Sequence, residues 1–87
     1  MILLNADKSK TYYVVIKVDG KIRECVCRVG TTKLGYSDQC NILVFVSKKQ
    51  CAEYMDKNSY KGMSYRYDVQ KIKYDGYCER WEIVNDD

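Results

Sequence analysis

The chain has 87 residues, 46% of them hydrophobic and 31% charged, with a formal charge of +3 from 15 Lys plus Arg against 12 Asp plus Glu. That length suits one domain spanning residues 1–87, with a thin core that buries roughly 60–65% of the unfolded surface, and its apolar content excludes a disordered chain. The net charge is too mild to identify a nucleic-acid partner by its sum, and the sequence has no histidine, which removes the most versatile general acid and base near neutral pH.

The first apolar stretch, Ile2 to Leu4, is shorter than the core of a secretory signal, and no run approaches the roughly 20 residues that span a bilayer. The expectation is a cytoplasmic protein with no membrane partner. Its five cysteines then stay as thiols rather than forming a disulfide framework.

Thr11 to Val18 alternates as a strand and runs into Asp19 and Gly20, a strong two-residue hairpin signal because a type I′ loop needs positive φ at both central positions. Such a loop pairs Val18 with Lys21, Ile16 with Arg23, Val14 with Cys25 and Tyr12 with Cys27. Those residues form the more apolar face, taken as the core side. Gly30 to Gln39 reads as a loop, rich in glycine and small polar residues. Ile42 to Val46 is continuously apolar and is predicted as the central strand, covered on both faces.

Ser47 and Gln50 have the spacing of a capping box, which predicts a short helix over Lys48 to Lys57. Cys51 and Met55, with Ala52 beside them, form its narrow apolar stripe. Asn58, Ser59 and Gly62 end the helix, and strand chemistry resumes from Met63 to Tyr74. Its apolar residues sit first at odd positions (Met63, Tyr65, Tyr67, Val69) and then at even ones (Ile72, Tyr74). That change of phase predicts a β-bulge near Gln70 and Lys71, with Val69 opposite Trp81 and Tyr67 opposite Ile83. Asp75 and Gly76 make the second Asp-Gly hairpin, and the last strand runs from Tyr77 to Val84. The predicted fold is α+β: a single, mainly antiparallel sheet of about five strands, built from two Asp-Gly hairpins and a central strand, with one short helix on one face.

Catalytic chemistry has little to work with. Ser-His and Cys-His pairs are impossible without histidine, and the glycines form neither a dinucleotide fingerprint nor a phosphate loop. Glu79 and Glu82, three positions apart on a strand, point to opposite faces. No Cys-x-x-Cys knuckle presents a zinc site, so Cys25, Cys27 and Cys51 read as small buried hydrophobes and Cys78 as the exposed thiol. The expectation is a non-enzymatic protein with no metal and no cofactor.

Nine tyrosines are the informative excess, because tyrosine offers a large rigid contact area together with a hydroxyl. Tyr12, Tyr65 and Tyr67 are assigned to the core, and Tyr13, Tyr36, Tyr60, Tyr74 and Tyr77 to an exposed patch. The leading expectation is a protein-binding module that occludes a surface of a larger target through Tyr36, Tyr60, Lys71, Lys73, Tyr74, Tyr77 and Arg80. Its Lys-, Tyr-, Asn- and Asp-rich composition resembles that of small accessory proteins of AT-rich phages and mobile elements, among them inhibitors of host defence proteins or nucleases. Interleaved aromatics and cations between 57 and 74 give an alternative, a single-strand nucleic-acid binder or small transcriptional regulator using Lys57, Lys61, Arg66, Lys71 and Lys73. A third reading is a structural subunit whose tyrosine patch makes homodimers or larger homo-oligomers.

Overall fold

The computed structural model describes residues 6–28, 30–33 and 42–84. Strands β1 (Thr11–Asp19), β2 (Ile22–Val26) and β3 (Thr31–Lys33) precede helix α1 (Lys48–Lys57), and β4 (Arg66–Asp75) and β5 (Arg80–Val84) follow it. They form one antiparallel sheet in the order β3-β2-β1-β4-β5. Four strands of five to ten residues carry that sheet, and the three-residue β3 extends one edge. The α+β class and, among the described residues, the one short helix agree with the sequence reading.

Neither Asp-Gly pair forms the expected two-residue loop. In the first hairpin Asp19 pairs with Ile22, so the loop is Gly20 and Lys21. Gly20 occupies its first central position at φ 62°, the glycine-first pattern of a type II′ loop. Val18 therefore faces Arg23, and Ile16 faces Cys25. The register has moved by two residues, an even shift, so every side chain keeps its predicted face. In the second hairpin Asp75 pairs with Arg80 across a four-residue loop, Gly76 to Glu79. Here Glu79, not the glycine, has positive φ, at 55°. The Asp75 carboxylate stabilises that loop by accepting from the backbone N–H of Tyr77 (2.9 Å) and Cys78 (3.3 Å).

β4 has no bulge. Its pairing with β1 is continuous from Thr11 opposite Lys73 to Val18 opposite Arg66, and on its other edge Trp81 faces Tyr74 and Ile83 faces Ile72. The apolar residues change phase because the buried side of the strand changes along its length. Tyr67 and Val69 pack on the side that carries α1, whereas Ile72 and Tyr74 join the cluster on the opposite side. Two half-cores thus share one sheet. Val14, Ile16, Val18, Cys25, Cys27, Ile42, Ile72 and Trp81 form one; Val15, Val26 and Cys51 centre the other.

Ile42 to Val46 is not the central strand. It is an extended segment seated where β1 and β2 diverge, making isolated bridges from Ile42 to Cys27 and from Phe45 to Tyr13. The backbone of Phe45 exchanges two 2.8 Å hydrogen bonds with Tyr13, and Leu43 N–H donates to Val26 C=O. Ile42 and Val44 enter one half-core and Leu43 and Phe45 the other, but Val46, the last residue of the apolar run, is exposed. Most of the expected loop from Gly30 to Gln39 lies outside the described residues, but Thr31–Lys33 within it is strand, pairing with Glu24 to Val26.

α1 begins as its capping residues predict. Ser47 Oγ accepts from Gln50 N–H (3.2 Å), and Gln50 Oε1 accepts in return from Val46 N–H (3.1 Å), one residue before the usual position. Cys51 is the buried residue of the helix, with Tyr54 and Met55 beside it. Ala52 is exposed and stands outside that stripe.

Candidate protein-binding surface

None of the described tyrosines is fully buried, because the core positions are taken by Val, Ile, Cys and Trp. The assignment of Tyr12, Tyr65 and Tyr67 to the core is corrected accordingly: all three are half-buried at its margin. Tyr12 packs edge-on to Trp81 (5.5 Å between ring centroids), while Tyr65 and Tyr67 belong to a row of rings on the α1 side of the sheet.

That row is built by three elements. Tyr67 is the second residue of β4 and Tyr65 immediately precedes the strand, their rings on the same side of it, and the β1 to β4 register sets Lys17 opposite Tyr67. Tyr54 comes from the inner side of α1, and Tyr60 from the turn that follows the helix. Successive centroid distances are 6.1 Å from Tyr54 to Tyr67, 5.6 Å from Tyr67 to Tyr65 and 6.5 Å from Tyr65 to Tyr60, with interplanar angles of 70°, 78° and 81°. These are the edge-to-face arrangements that the ring quadrupole favours. Phe45 extends the row beyond Tyr54 at 5.6 Å.

Two polar contacts fix the row. The Lys17 ammonium stands 4.2 Å from the Tyr65 ring centroid, a cation–π contact. Tyr67 Oη donates to the carbonyl of Asn58, the C-cap residue of α1, at 3.4 Å. Desolvation, reinforced by the hydrogen bond and charge of Tyr65, pushes the Tyr67 phenol up to about 12. The row ends in water: Tyr60 is 62% exposed.

The protein-binding residues expected from sequence divide between opposite ends of β4. Tyr60 stands at the α1 end, in the row. Lys71 and Lys73 lie on the same side of the sheet but further along, where Lys73 faces Glu82. Arg80 is beside them, ion-paired with Glu82. Tyr77 is at the hairpin tip, 97% exposed. Tyr74 points to the other face, against Trp81 (5.6 Å) and beneath the Lys8 ammonium (4.8 Å). Tyr36 lies outside the described residues.

The five cations of the nucleic-acid alternative do not share one surface. Arg66 projects to the face opposite Tyr65 and Tyr67, next to Asp68, which also pairs with Arg23 at 3.1 Å. Lys71 and Lys73 are interleaved with Asp75 and Glu82 across β4 and β5. Lys57 and Lys61 lie either side of Tyr60 in sequence, at the helix end and the turn beyond it.

Cys25, Cys27 and Cys51 are buried and Cys78 is exposed, as expected; Cys40 lies outside the described residues. Burial, with the Cys27 thiol beside it, pushes the Cys25 thiol up to about 12. Asp75, Cys78 and Glu82 each bring one donor atom within 4.8 Å of the others. Those donors are already committed, Asp75 to two backbone N–H groups and Glu82 to Arg80. Compared with known proteins, the chain matches no protein-family model, no curated protein and no solved structure.

Proposed function

We propose that this chain is a non-enzymatic protein-binding module that occludes a surface of a larger target through the row Tyr54, Tyr67, Tyr65 and Tyr60. The observation that carries the reading is the row itself: four tyrosines packed edge to ring on one side of the sheet and left partly open to water. Rings held by one another and by α1 lose little further freedom on contact, so their area is available for binding at low entropic cost. Lys57 and Lys61 lie either side of Tyr60 in sequence and are exposed, and they favour a target surface with acidic or carbonyl groups. The composition shared with small accessory proteins of phages and mobile elements extends the reading to a host defence protein or nuclease as that target.

The test is affinity capture from a host extract with the wild-type chain, Y60A/K61A and Y77A. Capture of one stoichiometric partner should fall at least tenfold with Y60A/K61A and persist with Y77A, which alters the other end of β4. All three proteins should melt within a few degrees of one another, since the altered side chains are exposed. Equal capture by Y60A/K61A would remove the row from the interface. A parallel titration with a single-stranded oligonucleotide addresses the alternative: tight binding that falls steeply with salt and is lost in K57A/K61A would replace a protein target by nucleic acid.

A further inference from the structure

We propose that Asp19 is a site of spontaneous modification in the native protein, converting to isoaspartate through a cyclic imide with Gly20, whereas the matching pair Asp75 and Gly76 is protected by its turn. The inference does not rest on the protein-binding reading. Glycine follows aspartate at these two positions of the sequence, and a residue without a Cβ leaves its backbone nitrogen unhindered towards the preceding side chain. The reaction consumes nothing but water, which it first releases. The Gly20 nitrogen forms a bond to Asp19 Cγ and gives up its proton, and the OH of the protonated Asp19 carboxyl group leaves with that proton as water. The imide then takes up a water at one of its two carbonyls. Opening at Cγ restores aspartate. Opening at the main-chain carbonyl leaves the chain running through Cβ and Cγ, with the former main-chain carbonyl as a carboxylate, so mass and formal charge are unchanged.

The two pairs are alike in chemistry and unlike in restraint. Asp75 Oδ1 accepts from the backbone N–H of Tyr77 at 2.9 Å and of Cys78 at 3.3 Å, which turns the carboxyl group over its own loop and away from the Gly76 nitrogen. Those bonds also favour the anion over the protonated form that loses water. Asp19 is exposed, and among the described residues its carboxylate takes part in no hydrogen bond or ion pair. Gly20 opens the two-residue loop beyond the last ladder pair, Asp19 with Ile22, so its N–H lies outside the β1 to β2 pairing. An exposed turn at the end of a ladder opens at low free energy, and each opening lets that nitrogen reach a carboxyl group that nothing holds. The product carries an extra backbone carbon at the residue that pairs with Ile22, and it cannot keep that pair in register.

Ageing the intact chain in warm, mildly acidic buffer, then digesting it with trypsin, tests this. Cleavage after Lys17 and Lys21 releases Val18 to Lys21, and cleavage after Lys73 and Arg80 releases Tyr74 to Arg80, so each site is read on its own peptide, by chromatography against synthetic aspartyl and isoaspartyl standards. In the folded chain isoaspartate should accumulate in the Val18 peptide several-fold faster than in the Tyr74 peptide. In concentrated guanidinium chloride neither carboxyl group is held, so the two rates should converge, with the Tyr74 peptide the one that accelerates more. Circular dichroism during ageing keeps reaction of the folded chain distinct from reaction after unfolding. Absence of isoaspartate at Asp19, an equal or faster reaction at Asp75 in the folded chain, or a difference that survives in denaturant would each overturn the proposal, the last by tracing the difference to neighbouring side chains instead of the turn.

Discussion

The thiol of Cys78 shows how one residue's environment decides its chemistry. It is exposed at the β4 to β5 turn, whereas Cys25, Cys27 and Cys51 are buried, so among these four it should be the one that a thiol reagent modifies in the native protein. Its reaction should nevertheless be slow. The Asp75 carboxylate accepts its hydrogen bond and opposes a second negative charge, holding the thiol above its ordinary range, and the thiolate is the reactive form. Asp75 is itself held below the ordinary carboxylate range by the N–H groups of Tyr77 and Cys78, so it remains charged at neutral pH. D75N keeps an oxygen for those N–H groups but removes the charge, and it should raise the alkylation rate of Cys78 at neutral pH several-fold. An unchanged rate, followed by mass spectrometry of the labelled chain, would show that Asp75 does not control the thiol. The sequence placed Cys78 in the last strand, next to the hairpin turn, and could not show this pairing, which depends on a loop two residues longer than its Asp-Gly pair suggested.

The two hairpins look alike in sequence and are held differently, and glycine substitution separates them. Gly20 has φ 62° at the first central position of its loop, whereas Gly76 is not among the glycines of positive φ, and a Cβ there would meet only Tyr74, at 4.0 Å. G20A should therefore cost about 1 kcal/mol net, the strain of a left-handed alanine less its smaller unfolded-state entropy. G76A should be neutral or stabilising by up to about 0.5 kcal/mol. Urea melts resolve the opposite signs; a shared sign would mean that the turns use their glycines alike. An Asp-Gly pair was legible as a turn because few residues tolerate such backbones, but it left open whether Asp sits in the loop or ends the strand. α1 was legible to the residue because its cap is local: Ser47 and Gln50 meet whatever the remaining chain does. β4 was misread for the opposite reason. A period-two pattern reports which side is buried, and when that side changes midway it imitates a bulge.

At the scale of the molecule the two half-cores are unequal, and stability should follow that inequality. β1 is buried on both sides at Val14, Val15 and Ile16, between β2 and β4, whereas α1 contributes Cys51 alone as a fully buried side chain. An element anchored by one small residue opens at lower free energy than the sheet it covers. Native-state hydrogen exchange in increasing urea should show the α1 amides opening early, with a small urea dependence, while β1 and β4 amides exchange only by global unfolding. The same opening bears on the aromatic row. Tyr54 rides on α1, and Tyr67 is tied to Asn58 at the helix end, so departure of α1 breaks the row between its second and first rings. An excess of tyrosine was legible from composition, but this row was not, since it depends on β1 meeting β4 and on α1 crossing them, contacts distant in sequence. A partner that binds the row must then also hold α1 closed, and its addition should slow exchange at α1 and, because it binds only the folded chain, at β1 as well. Exchange at α1 as slow as that of β1 in the isolated chain would show that the helix belongs to the same cooperative unit, and that the row is rigid without a partner.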